Sequence, residues 1–219
     1  MKKKMTLQTM VMKMGGGLGK TCAIFFLTLI FALPLGMVMA MLRMSKHKAV
    51  SKTMEFIISV LRGTPLMLQL LAVTYGPYYL FGISVSRNKL IPVIIAFSIN
   101  YAAYFCEIYR GGIESMSLGQ YEAAEVLGYS KFKTFIKIIL PQVIKRILPS
   151  MTNEIITLVK DTSIAFTVSY QEMFTIGKQI ANSETSFTPF IVAGVFYYVF
   201  NAIVGFVMKR VEKSMSYYR

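Results

Sequence analysis

Histidine, cysteine and acidic side chains are all scarce in this chain of 219 residues. The one histidine, His47, lies in the basic run "RMSKHKAVSK" and reads as a solvated loop residue, so catalytic histidine chemistry has no support. The two cysteines, Cys22 and Cys106, sit inside apolar stretches, which excludes a disulfide framework and gives no metal-ligand spacing. Both read as buried thiols. Charged residues make up only 16% of the chain against 55% hydrophobic, with a mean hydropathy of +0.55, too apolar for an ordinary soluble domain of this length. With 10 Asp and Glu against 24 Lys and Arg, the net charge is +14, which suits an anionic lipid surface or nucleic acid. The apolar runs favour lipid.

The N-terminal "MKKKMTLQTMVMKMGGG" has a basic start but no compact apolar stretch before its glycines, so the first long apolar run reads as retained rather than cleaved. That run, residues 20–42, carries no charge after Lys20; at 1.5 Å per residue it covers roughly 34 Å, enough to cross the hydrocarbon, with Pro34 and Gly36 expected to kink it. Further spans are expected over 55–81, interrupted near Arg62, Gly63 and Pro65, over 90–109, and over 187–208, where there is no charge at all. A fourth span over 150–170 contains Glu154, Lys160 and Asp161. Each costs about 2.5 to 3.5 kcal/mol at the bilayer centre against about 0.3 to 0.6 kcal/mol returned per large aliphatic or aromatic residue, so alone in lipid this segment would not insert. Asn153, Glu154, Thr157, Lys160 and Asp161 fall on about a third of the helix circumference, which marks a helix facing protein or a water-filled cavity. Lys160 and Asp161 are expected to neutralise one another. Fourteen Lys and Arg in the 43–52, 110–149 and C-terminal segments stand against eight in the other loops and N-terminal segment, which favours an outside N-terminus and a cytoplasmic C-terminus.

"MGGGLGKT", Met14 to Thr21, differs by one residue from the phosphate-cradling P-loop, which needs glycine where Met14 stands and a strand before it. A flexible Gly-rich lead-in to the first span is the expectation. Between the third and fourth spans, the loop of about 110–149 contains two amphipathic pieces. Ser117 and Gln120 have the spacing of a capping box, so a helix is expected from about Leu118 until Gly128 ends it. Ser130 then caps a second helix, which carries Phe132, Phe135, Ile136, Ile139, Leu140, Val143, Ile144 and Ile147 on one side and basic residues on the other. This helix should lie along the membrane surface, with Pro141 bending it and Pro149 handing the chain to the fourth span. The first piece is short and water-facing, with carboxylates at Glu122 and Glu125 flanking Ala123 and Ala124.

"EAAEVLG", followed by "ILP" at a spacing of eleven residues, resembles the EAA loop of permease subunits of ATP-binding-cassette importers. "LRGTPLMLQ", "AAYFCEIYRGGIESMSLGQYEAAEVLG" and "LVKDTSIA" are similar to the polar amino acid subfamily, and the likeness runs from about Gly17 to Glu212. The resemblance implies an all-α membrane protein with five transmembrane helices and a cytoplasmic EAA coupling helix, the MetI-like permease fold, in one domain over 1–219. It implies a bacterial plasma membrane location and transport of a polar amino acid. Partners would be a second permease chain, two ATPase subunits carrying ATP and Mg, and an extracellular amino acid-binding protein, with no cofactor on this chain. By motif, Glu122, Ala123, Ala124, Glu125 and Gly128 would couple the ATPase to the membrane.

On the third span Asn100, Tyr104, Glu107 and Gly111 share one helical face, and a carboxylate within a span is a functional candidate or half of an ion pair, here with Arg110 or Arg62. Gln69, Glu154, Thr157 and Asp161 complete the candidate substrate path. Three other readings have less support. A gradient-driven secondary transporter leaves the EAA segment unexplained; a membrane enzyme lacks a metal cluster or a nucleophile and base; a nucleic-acid binder would have to use a basic face shared with an apolar stripe.

Overall fold

The computed structural model describes residues 5–85 and 87–215, and among these the protein is entirely helical. Helix α1, Leu7–Arg43, begins at Thr6, whose hydroxyl accepts from the Thr9 N–H, and runs 37 residues through the glycines and Pro34. The Gly-rich stretch is therefore helix, not the flexible lead-in expected. With no loop there to cradle phosphate, the P-loop likeness has no structural basis.

Small residues decide the principal packing. Ala32, Gly36 and Ala40 recur every fourth residue on α1 and are fully buried or nearly so, and Gly36 packs against α4, Leu90–Glu114, beside Ala102 and Cys106. A Cβ on Gly36 would lie 2.9 Å from both the Ala102 carbonyl oxygen and the Phe105 Cβ, so the two backbones touch. In lipid, where apolar burial gives no drive between helices, this close approach is what holds them together. Helix α4 is the central element, with Phe97, Tyr101 and Phe105 wholly buried among its neighbours.

The span expected over 55–81 is two helices. Helix α2, Lys48–Gly63, and α3, Leu66–Phe81, meet at 104° across Thr64 and Pro65. Pro65 cannot donate and disfavours a helical residue before it, so Thr64 is extended and the chain turns.

Helix α5, Leu118–Val126, and the short α6, Lys131–Thr134, follow α4. The expected capping box at α5 is not made: Ser117 has extended N-cap geometry but no side-chain bond. The Gln120 side chain instead exchanges two 3.0 Å hydrogen bonds with Gln142. Ser130 does cap α6, accepting from the Lys133 N–H.

The surface helix expected after Ser130, with a handover at Pro149, is replaced by one unbroken helical run into the fourth hydrophobic region. A single π turn, Phe135–Ile139, absorbs the missing N–H of Pro141 by shifting the ladder, so that the Leu140 N–H bonds the Phe135 carbonyl. Helix α7, Leu140–Asp161, then continues through Pro149, because Ile147 and Met151 on either side are packed into the core. Its stripe is divided: Ile139, Val143 and Ile147 are buried, whereas Phe132 and Ile136 face outward. A 3-10 segment, Thr162–Val168, follows. Within it and at its start Thr162, Ser163 and Thr167 each donate a hydroxyl to the carbonyl three residues back.

Helix α8, Met173–Glu184, fills the interval between 170 and 187, where the sequence reading placed no element; α9, Thr188–Ser214, completes the bundle. Among the described residues three helices, α1, α4 and α9, are long and apolar enough to cross a membrane, and the bent α2/α3 pair qualifies as a fourth if taken together. Their outward faces carry exposed Phe26, Ile30, Phe31, Tyr198 and Phe206, the surface a lipid environment would cover.

Candidate functional site

Three segments meet around a polar cavity of about 560 Å³ inside these apolar helices. The last turn of α2 brings Arg62 to its wall; α4 contributes Asn100, Tyr101 and Tyr104; α7 contributes Glu154, Thr157 and Asp161, spaced three and four apart on one face. Of the residues expected to line a path, Asn100, Tyr104, Glu154, Thr157 and Asp161 are therefore brought together. Asn153 and Lys160, on the same polar arc, are exposed instead.

The charge of Lys160 acts on Asp161 as expected, but not through a contact ion pair. Among the described residues these two form no ion pair, and the Tyr101 hydroxyl donates to Asp161 Oδ2 at 2.7 Å. Adjacent residues on a helix point about 100° apart, so Asp161 faces the cavity while Lys160 faces away.

Gln69 braces the corner rather than opening onto the cavity. Its Nε2 donates to the Leu61 carbonyl (2.7 Å), the Thr64 carbonyl (3.2 Å) and Thr64 Oγ1 (2.8 Å), and its Oε1 accepts from Asn100 Nδ2 at 3.1 Å. Asn100 also donates to the Leu61 carbonyl, so one amide pair ties the end of α2, the start of α3 and the middle of α4.

Glu107 lies one turn further along α4, outside this cavity. Arg110 donates to it from Nε at 3.2 Å and from Nη2 at 2.7 Å, and also holds Glu114. The ion pair with Arg110, one of the two readings open for Glu107, is present. Together they line a second cleft of about 420 Å³ with Arg43, Glu55, Ser59 and Arg62, where Arg43 pairs with Glu55 at 3.2 Å. Gly111 is in a third, smaller hollow beside Arg146.

The basic segments gather at this same end of the bundle. Arg43 and Arg110 share the second cleft, Arg146 donates to the Ser115 carbonyl, and Glu212 near the end of α9 accepts from Thr152. Helix α5 leaves from here. Glu122, Ala123 and Glu125 on it are exposed and Ala124 is buried, while Leu118, Val126 and Leu127 present apolar side chains to the outside at 71, 88 and 73% exposure. The helix ends in a Schellman motif: the Tyr129 N–H bonds the Ala124 carbonyl at 3.0 Å and the Gly128 N–H bonds the Glu125 carbonyl at 2.9 Å, with Gly128 at φ +76°.

The sequence profile of the family described as binding-protein-dependent transport system inner membrane component matches residues 32–217. The chain belongs to that family. It is accordingly an inner-membrane transport component that works with a binding protein, a transport subunit rather than an enzyme.

Arginine transport system permease protein ArtQ of Bacillus subtilis is 35% identical over 201 residues, 91% of each chain. A protein of Rickettsia conorii, provisionally named glutamine transport system permease protein GlnP, is 36% identical over 191 residues, 86% of each. Among solved structures, an amino acid ABC transporter crystallised with histidines superposes with a TM-score of 0.86 at 29% identity, covering 97% of this chain and all of that one.

Two residues escaped the sequence reading. Tyr101 adjoins Asn100, but its partnership with Asp161 depends on how α4 and α7 cross. Glu172 is wholly buried at the N-cap of α8, accepting from the Phe174 N–H (2.7 Å), the Thr175 N–H (2.5 Å), Thr175 Oγ1 (2.8 Å), Thr21 Oγ1 (3.4 Å) and Tyr197 OH (3.3 Å). Glutamate is an unusual N-cap, so no capping signal pointed to it. It joins α1, α8 and α9 through one carboxylate.

Proposed function

We propose that this chain is the membrane-spanning permease subunit of an ATP-binding-cassette importer that admits a polar amino acid. The observation that carries this reading is the combination, in one chain of this family, of a polar cavity within apolar helices and an outward-facing α5 at the end of the bundle. The five crossings are α1, the bent α2/α3 pair, α4, α7 with its 3-10 extension, and α9. Segment 162–168 packs on α1, α3 and α8, and the polar arc of α7 is sheltered from lipid by α4 and a second permease chain. The basic end is cytoplasmic, with the N-terminus outside and the C-terminus inside, as the excess of Lys and Arg there favours.

Helix α5 docks on a separate ATPase subunit. Glu122 and Glu125 offer charge, Ala123 and Ala124 permit close approach, and Gly128 fixes the turn behind them. Two ATPase subunits, with ATP and Mg on them, drive two permease chains, and an extracellular binding protein delivers the substrate.

The cavity of Arg62, Asn100, Tyr104, Glu154, Thr157 and Asp161 is the substrate path. Two carboxylates against one guanidinium suit an amino acid whose α-carboxylate meets Arg62 and whose ammonium, with any cationic side-chain group, meets Glu154 and Asp161. The relatives' arginine and glutamine names are consistent with such a polar substrate. Gln69 and Glu107 serve the path from behind, one fixing the α2/α3 corner and the other holding Arg110.

Affinity purification from the native membrane tests the coupling assignment. The chain should co-isolate an ATP-hydrolysing subunit, and Ala123→Trp, a bulky change on an exposed helix face, should lower that recovery at least fivefold. Equal recovery with Ala123→Trp would refute the docking role of α5.

A further inference from the structure

The two polar hollows described above are not separate sites with separate walls. Arg62 and Gly63 line both the cavity that holds Glu154 and Asp161 and the cleft that holds Glu107 and Arg110. Of the two, only Arg62 has a side chain that can divide them. Its guanidinium carbon sits 5.2 Å from the centroid of the Tyr104 ring, a cation–π contact that spans the boundary.

Two features set Arg62 apart from its neighbours in the cleft. Arg43 and Arg110 each hold a carboxylate within ion-pair distance, whereas among the described residues Arg62 holds none. Glu107 and Glu154 feel its charge at longer range, and no carboxylate occupies the guanidinium itself, so a substrate carboxylate can meet it there. The residue also stands on the last turn of α2, at a 104° corner pinned by the Gln69–Asn100 amide pair through the Leu61 and Thr64 carbonyls. A side chain at such a corner swings through a wide arc for a small change in the angle between α2 and α3.

We infer that Arg62, stacked on Tyr104, is the barrier between two successive chambers of the path and the group that hands the substrate's carboxylate from one to the other. The first chamber holds the amino acid by Glu154 and Asp161. When the stack opens, the same guanidinium keeps hold of the carboxylate and turns it toward the second, which Glu55, Ser59 and Glu107 line. This inference rests on the substrate-path reading above and adds an order of events and a gate to it.

Thiol accessibility in the assembled transporter tests it. In a Cys22→Ser/Cys106→Ala background that retains uptake, Thr157→Cys reports the first chamber and Ser59→Cys the second. A charged, membrane-impermeant methanethiosulfonate reagent is applied from the side that labels Ser59→Cys. From that side Thr157→Cys should react slowly, and adding Arg62→Ala should speed it at least tenfold while leaving Ser59→Cys unchanged. Tyr104→Ala, which removes the stack from the opposite wall, should do the same, so misfolding of one variant does not decide the outcome. Arg62→Lys, which keeps the charge but loses the planar stack, should give an intermediate rate. Thr157→Cys rates that are unchanged by both Arg62→Ala and Tyr104→Ala would overturn the barrier. Arginine, histidine and glutamine are added in parallel. If none protects Thr157→Cys, the substrate-path reading fails, while the reaction rates still decide the barrier.

Discussion

Gly128 offers a perturbation whose size follows from the backbone alone. It sits at φ +76°, and a Cβ built on it would meet nothing within 4 Å, so a substituted side chain costs energy through its own backbone and not through a clash. A left-handed conformation costs an alanine about 1–2 kcal/mol and a β-branched residue more, whereas asparagine tolerates it best after glycine. Each 1.4 kcal/mol is a factor of ten in the population of the conformation that orients α5, and the apparent affinity for a docking partner falls by the same factor. Gly128→Ala should therefore weaken binding of the partner ATPase by about 5- to 30-fold, Gly128→Val by more, and Gly128→Asn by less than either. The assay is titration of the ATPase onto the reconstituted permease, with ATP-driven uptake measured alongside and membrane insertion confirmed by protein level. Wild-type binding by Gly128→Val, or Asn as damaging as Val, would refute the argument that backbone strain behind α5 governs docking.

Other perturbations test the packing and the site. Tyr101→Phe removes the donor to Asp161; hydrogen bonds within membrane bundles are worth about 0.6 kcal/mol on average and up to about 1.7, so melting in detergent should drop by a few degrees, and an unchanged Tm would contradict the bond. At Gly112 a Cβ would collide with Ile147 and lie 3.2 Å from Val143, so Gly112→Val should cost about 1–3 kcal/mol by overpacking and should be partly rescued by Ile147→Ala. Failure of that rescue would show that α4 and α7 do not meet there. Glu172→Ala strips the N-cap from α8 and the acceptor from Thr21 and Tyr197, and should lower the Tm more than Glu172→Gln, which keeps one acceptor oxygen; equal effects would contradict the network.

How much of this was legible beforehand depends on whether the signal was local. The uncharged run of α9 and the break around Arg62, Gly63 and Pro65 are read from single short stretches, and the structure puts a helix and a sharp corner there. The glycine stop after α5 is equally local, since glycine takes the positive φ of a helix-ending turn at the least cost. The facing of Asn100, Glu154 and Asp161 was half legible: periodicity placed each on its own helix face, but not those faces around one cavity. What failed required knowledge of neighbours. Pro149 looks like a boundary in isolation, yet α7 runs through it because Ile147 and Met151 are packed on both sides. Gly15 to Gly19 look flexible, yet Gly17 is where α1 meets the backbone of Met173. Lys160 and Asp161 look like a contact pair, yet their directions on the helix differ and Tyr101 is the carboxylate's direct partner. Glu172 carries no local signal, because glutamate is an unusual N-cap and two of its five donors, Thr21 and Tyr197, come from α1 and α9, far away in sequence.

The central claim is that ATP hydrolysis on another chain moves a polar amino acid through this one. The most direct measurement is uptake of a labelled panel, including arginine, histidine, glutamine and cystine, by cells expressing the intact chain with its partners, before and after ATP depletion at a clamped membrane potential. The account predicts uptake of at least one member that disappears with ATP and with Gly128→Val. Uptake that survives both and collapses only when ion gradients are dissipated would contradict it and identify a gradient-driven carrier.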